Sequence, residues 1–273
     1  MSTGMVGVCS EPITGGGKAS PIQAGCKKVA IVGCAETKSQ APFGDQSWEI
    51  WGVNNLYLHI PRWTRWFEIH SVMYDEIKKK WFRRMNPDLK KGTYEWSDNF
   101  RGQPVGDYIA GLAKMDCPVY MQRHWDAVPG SQPYPLKEVL ARFPRQYFTN
   151  TISWMLALAI YEGFQEINVY GVDMAVGSEY HHQRPSCEYF LGIAEGMGLK
   201  VFIPDEADLL KTRFLYGFGE SEKSKWDKKI QGMIASMEQR KATAEHQYKH
   251  AETQINQYVG ALMAVREVNK IWD

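Results

Sequence analysis

The sequence predicts an α/β fold: a mostly parallel sheet flanked by helices, with a long C-terminal helix or helical hairpin appended. Three observations carry that expectation. Short apolar, β-branched runs recur, each closing on glycine, asparagine or a polar pair. Between residues 150 and 204 such runs alternate with capped helical patterns. Beyond about residue 220 glycine becomes rare, proline vanishes, and apolar or small residues recur at three- and four-residue spacing.

Taken in order, residues 1–26 are Gly-, Ser- and Pro-rich and read as a flexible arm without the charged start and apolar core of a signal peptide. Val29 to Val32 is the first strand and Gly33 ends it. Ser47 to Asn54 is the second strand, Trp66 to His70 the third, and Asp116 to Met121 a further short one. Tyr74 to Met85 reads as a basic helix. Thr151 to Glu162 is a helix capped by Asn150 or Thr149 and stopped at Gly163. Glu166 to Gly171 is a strand, Ser186 to Met197 a helix ending at Gly198, and Leu199 to Pro204 the last strand. These elements define an α/β domain over 27–219 and a helical segment over 220–273. The latter is one helix of about 50 residues, or about 75 Å, or a hairpin bent near Arg240 to Ala244, where Arg240 breaks the apolar seam. Its simplest use is to hold copies of the chain together as a coiled coil, or to pack on its own domain.

Composition removes several function classes. A net charge of +1 gives no global field for nucleic acid or anionic membrane. No run of 18 apolar residues offers a membrane span. Five cysteines without a C-x-x-C pair fit a reducing, cytoplasmic compartment rather than a disulfide or zinc framework. The basic cluster around Lys78 to Arg84 reads more readily as a solvated helix face than as a phosphate-contacting surface.

In a parallel sheet, ligands bind beyond the carboxyl ends of the strands. That places the candidate residues. Gly33, Cys34 and Ala35 form a tight turn whose backbone N–H groups can approach an anion, with Thr37 and Ser39 as hydroxyl donors. Asn54 and Asn55 end the second strand and carry amides suited to a ribose, a phosphate or a base edge, or to a simple turn. Glu68 and His70, two apart on a strand, would share a face and suit a general base with a partner or two metal ligands, or, for His70 above all, a solvated strand end. Gly171 and Asp173 lie at the mouth of the next strand. The loop after it holds Glu179, Tyr180, His181, His182, Gln183, Arg184, Ser186, Cys187 and Glu188. Ser186 is the expected N-cap of the following helix, with Glu188 in its first turn and Arg184 beside it for an anion. Adjacent histidines do not readily share one ion and no H-E-x-x-H spacing is present, so no metal site is expected. Cys187 has no base positioned beside it as a nucleophile would need.

With Gly33, W-G-V-N-N, F-E-I-H, Y-G-V-D-M and R-P-S-C-E-Y-F in view, residues 28–215 resemble a widespread family of tailed-bacteriophage proteins with a Rossmann-like domain and no settled activity. The layout is more distantly similar to sialyltransferase-like and 6-hydroxymethylpterin-diphosphokinase-like proteins. Those share a glycine turn after the first strand, an asparagine after the second (here Asn54) and a Y-G-V-D strand end. They handle sugar nucleotides or nucleoside triphosphates. Their usual G-x-G-P-S-like turn is replaced here by G-C-A-E-T.

The resemblance implies a nucleotide or sugar-nucleotide ligand and a glycosyl- or phospho-transferase in an infected bacterial cell. Asp173 and Glu68 are then the candidate bases, and Gly33, Cys34, Ala35, Thr37, Asn54, Asn55, Gly171, Arg184 and Ser186 the nucleotide contacts. His70, Glu179, Tyr180, His182, Gln183 and Glu188 stand second. A divalent metal beside a diphosphate stays open. The competing expectation is a non-catalytic nucleotide-sequestering or assembly protein, oligomerised through residues 221–273.

Overall fold

A computed structural model describes residues 27–85, 95–174, 182–212, 216–217 and 223–272. The expected arm, and Glu179, Tyr180 and His181, lie outside them. Seven strands form one parallel sheet: β1 (Lys28–Val32), β2 (Trp48–Val53), β3 (Arg65–Glu68), β9 (Val119–Met121), β10 (Ser131–Pro133), β11 (Glu166–Tyr170) and β12 (Lys200–Phe202). Their order is β10-β9-β3-β2-β1-β11-β12. The chain runs outward from β1 through β2 and β3, then returns to add β11 on the other side of β1. The order therefore reverses between β1 and β11, the place where α/β sheets open a crevice.

The sheet is covered on both faces, which is why its strands are apolar throughout. On β1, Val29 and Ile31 face one core, with Trp51, Phe67 and Val169. Ala30 and Val32 face the other, with Ile50 and Trp66. The first core is closed by α2 (Leu136–Arg142), α3 (Thr151–Tyr161) and α4 (Arg184–Gly196), the second by α1 (Val105–Ala113). The α3 helix is buried nearly all round. Of its two candidate caps, Asn150 serves: its Oδ1 accepts from the Ser153 N–H at 2.9 Å. Gly163 stops the helix with φ +76°.

The basic helix expected over 74–85 is instead an antiparallel hairpin, β4 (Val72–Asp75) and β5 (Lys80–Arg84), extended by β6 (Trp96–Ser97). Asp75 makes the turn, its Oδ1 accepting from the N–H groups of Ile77 and Lys78 at 3.0 and 2.9 Å. Lys79 completes it at φ +53°. Tyr74 and Trp81 pair across the strands with ring centroids 5.3 Å apart, a cross-strand contact that outweighs helix propensity here. A small hairpin, β7 (Asn99–Phe100) and β8 (Gln103–Pro104), leads into α1.

The C-terminal segment is one helix, α5 (Lys223–Trp272), without the bend allowed for near Arg240. Arg240 forms an ion pair with Glu36 in the turn after β1. Among the described residues no helix is long and apolar enough to cross a membrane.

Candidate functional site

The ends of β1 and β11 are fused by close backbone contact. A Cβ added to Gly33 would lie 2.3 Å from the Gly171 carbonyl oxygen, and one added to Gly171 would lie 2.3 Å from that of Gly33. Gly171 also holds φ +64°. The Gly33 N–H donates to Tyr170 O at 2.8 Å and the Ala35 N–H to Gly171 O at 2.9 Å. Those two donors, expected to face an anion, are therefore engaged by the neighbouring strand. Thr37 is the link. Its Oγ1 accepts from the Gly171 N–H at 2.8 Å and donates to Asp173 Oδ1 at 2.8 Å. The Asp173 carbonyl in turn accepts from the Asp208 N–H at 3.0 Å. Met174, a buried non-glycine residue, follows at φ +44°.

A second cluster gathers at the ends of β2 and β3. Strand β3 stops at Glu68, so strand alternation does not bring Glu68 and His70 together. Instead the Glu68 carboxylate folds back on its own chain, where Oε1 accepts from the His70 N–H at 2.9 Å and lies 2.8 Å from His70 Nδ1. Its Oε2 accepts from Arg83 Nε at 3.0 Å and from the Tyr108 hydroxyl at 2.7 Å. Arg83 Nη2 reaches Asn54 Oδ1 at 3.3 Å and His70 Nδ1 at 2.7 Å. Asn54 sits at φ +55°, a conformation that asparagine tolerates better than most residues, and its carbonyl accepts from Trp66 Nε1 at 3.1 Å.

Glu68 is 1% exposed and Arg83 3% exposed. Burial alone would raise the Glu68 pKa, but the Arg83 charge, His70 and the Tyr108 hydroxyl outweigh it and hold the carboxyl well below its usual range. Tyr108 moves the opposite way. Burial, then the Glu68 charge, push its hydroxyl well up, so it stays a donor. Two groups of opposite kind meet His70 Nδ1: the Glu68 Oε1 acceptor at 2.8 Å and the Arg83 Nη2 donor at 2.7 Å, so the ring's tautomer decides which of them it pairs with.

The start of α4 differs from the sequence expectation. The N-cap position is Gln183, and Ser186 lies inside the first turn, fully buried. Pro185 explains the shift, because it is favoured in the first helical turn and moves the start ahead of Ser186. Ser186 Oγ shares a hydrogen bond of 2.6 Å with Thr149 Oγ1 and donates to Gln183 O at 3.0 Å. Arg184 Nε donates to Glu188 Oε1 at 2.7 Å and its Nη2 to Lys211 O at 3.3 Å. Glu188 also accepts from the Leu210 N–H at 3.0 Å. Arg184 and Glu188 thus tie the 204–212 loop to α4. Cys187 is fully buried, and burial pushes its thiol up to about 12, the reverse of an activated nucleophile. His182 is exposed, while Cys34 and Asn55 are half-buried.

The structure thus joins Thr37, Gly171 and Asp173 in one cluster and Asn54, Glu68 and His70 in another. Arg83 and Tyr108 were not legible as site residues. Arg83 was hidden in a lysine-rich run, and Tyr108 had no local signal. Two shallow depressions of about 620 and 690 Å³ lie along Arg142 to Tyr147 and Tyr189, and neither is lined by residues of these clusters. Among the described residues no group of three or more His, Cys, Asp or Glu is placed to hold a metal ion.

No protein-family model matches the sequence, and no curated protein matches it. Among solved structures the chain is similar to the sialyltransferase CstII from Campylobacter jejuni in complex with a substrate analogue, CMP-3FNeuAc. The identity is 14% and the TM-score 0.37, over 65% of this chain and 79% of that one. The same enzyme in complex with a trisaccharide acceptor and CMP gives 14% identity and a TM-score of 0.36, over 65% and 80%. At this level the site's chemistry rests on the residues of this chain alone.

Proposed function

We propose that the carboxyl edge of the parallel sheet binds a nucleotide or sugar nucleotide and that the protein is a glycosyl- or phospho-transferase. The observation that carries this reading is the Glu68–His70 pair: an imidazole oriented by a buried, ionised carboxylate at the end of a parallel strand, beside Asn54. In this proposal His70 takes the base role and Glu68 becomes its positioning residue, because the Glu68 oxygens are occupied by Arg83, Tyr108 and His70. In this role the His70 imidazole accepts the proton of an acceptor hydroxyl as that oxygen bonds to the transferred group. The bond from that group to the nucleotide phosphate breaks, and the phosphate leaves with the electron pair. Asn55 is the amide offered to the nucleotide, and Asp173 is the carboxylate on the β11 side, offered to the acceptor. The α/β body over 27–219, the phage setting and the bacterial cytoplasm belong to the same proposal, supported by the motif resemblance.

Thermal-shift screening with nucleotides and sugar nucleotides tests the binding. A ligand at 100 times its Kd adds about 2.7 kcal/mol to the native state. No shift with any of them overturns the reading. Turnover of a bound sugar nucleotide, abolished in His70→Asn with binding retained, then separates an enzyme from a sequestering protein. The assembly reading has its own observation in α5, which leaves Ile255, Leu262 and Val265 more than half exposed.

A further inference from the structure

The α5 helix carries a repeat that its own chain does not use. From Ile230 the seam steps four and three residues alternately to Asn269. One column is Ile230, Met237, Ala244, Ala251, Tyr258 and Val265. The other is Ile234, Lys241, Tyr248, Ile255, Leu262 and Asn269. This register puts Lys241, and not Arg240, in the seam. Met237, Tyr248, Ile255, Tyr258, Leu262 and Val265 are each 55–70% exposed, so the chain's own body does not cover them.

The period decides what can cover them. An apolar stripe at 3.5 residues drifts about 20° per heptad on a straight helix, roughly 110° between Ile230 and Asn269. A flat surface cannot follow that drift, but a second helix winding with a left-handed supercoil can.

We infer that α5 pairs with the α5 of a second copy of this chain as a parallel, in-register, two-stranded coiled coil. The charges flanking the seam set the direction. Glu238, Glu245 and Glu252 line one flank, and the other flank holds Arg240, Gln247 and Gln254. In a parallel pair each flank meets the opposite one, five residues on. Arg240, which the single chain pairs with its own Glu36, then exchanges that partner for Glu245 of the partner subunit, and Gln247 faces Glu252 of the partner subunit. In an antiparallel pair the glutamate flank would meet its own copy. The polar seam residues set the register. Asn269 can hydrogen-bond only to its equivalent when the helices are aligned, and Lys241 lifts its ammonium out of a two-stranded seam. The alanines at 244 and 251 make room for the Tyr248 layer between them. A parallel pair places both α/β bodies at the same end of the rod.

The chain of 273 residues, 31.3 kDa, is expected to measure as twice that mass by light scattering. A monomer overturns the inference. In Val265→Cys, mild oxidation is expected to link the two copies through residue 265. An antiparallel pair centred near Tyr248 would hold those thiols tens of ångströms apart, so a dimer without that link overturns the parallel register. Ile255→Asp with Leu262→Asp is expected to give a monomer whose α/β body melts as before, and a surviving dimer places the contact elsewhere. Loss of nucleotide binding in any of these variants bears on the proposed function and not on the pairing.

Discussion

Arg83 Nε donates to Glu68 Oε2 at 3.0 Å, with the two side chains 4% and 0% exposed, so each ion is the other's main compensation for leaving water. Glu68→Gln leaves Arg83 charged in a buried site, and a loss of about 3–5 kcal/mol is expected in urea unfolding. The pH dependence follows from the lowered carboxyl pKa. The contribution of Glu68 is complete above the ordinary carboxylate value of 4.5 and is lost as pH falls through the lower folded value. The wild-type protein should therefore lose stability in acid more steeply than Glu68→Gln. Parallel acid profiles of the two proteins would count against the ion pair.

His70 separates a structural from a catalytic role for this cluster. As the proton acceptor, its replacement by Asn should lower kcat by about 10²–10⁴-fold while leaving nucleotide affinity within a few-fold. Asp173→Asn should weaken acceptor binding and raise KM for the acceptor. Should His70→Asn keep full turnover and Asp173→Asn lose it, the base role moves to Asp173.

The contact between Gly33 and Gly171 has no room for a methyl group. Gly33→Ala must force the β1 and β11 ends apart, because the obstacle is a carbonyl oxygen of the backbone, and about 1–3 kcal/mol of stability should be lost. Gly44→Ala, with nothing within 4 Å, is the control and should stay within about 0.5 kcal/mol. Equal midpoints for the two variants would deny the contact its role.

Thr37 serves two partners with one hydroxyl. Thr37→Val strands the buried Gly171 N–H and should cost about 1–3 kcal/mol, whereas Thr37→Ser keeps both bonds and most of the stability. Chemical denaturation of the pair reads the difference directly.

Cys187 is fully enclosed and its thiol is raised to about 12, while Cys34 is half-buried. Peptide-resolved alkylation at pH 8 should modify Cys34 in the native protein and Cys187 only after unfolding. Early loss of the Cys187 peptide would point to an open α4 interface.

The parallel sheet was legible because β1, β2 and β11 are continuous apolar runs with stops, and α3 because Asn150 and Gly163 bracket a helix-length apolar stretch. Residues 74–85 were misread as a helix because the lysine run looked like a solvated helix face. The aromatic pairing of Tyr74 with Trp81 is a contact across strands that helical periodicity does not register. The N-cap of α4 was misplaced by three residues, Ser186 for Gln183, since a proline can open a helix ahead of a good capping side chain. Asn54, Glu68 and Asp173 were singled out by position, and the structure places Glu68 at the end of β3 and the other two just beyond β2 and β11. Arg83 and Tyr108 act through tertiary contacts with Glu68, 15 and 40 residues away in sequence, and no local pattern announces such contacts.

The two clusters close loops of very different length. Glu68 and Arg83 are 15 residues apart, Thr37 and Asp173 136. The longer closure costs about 2 kcal/mol more in chain entropy. The charged cluster belongs to one contiguous hairpin-bearing segment and has a short search. The Thr37 link waits until β11 has docked on β1. Assembly of the carboxyl edge is thus ordered in time, with its ionic half forming before its glycine half, and pulsed hydrogen exchange should protect the His70 amide before the Gly171 amide.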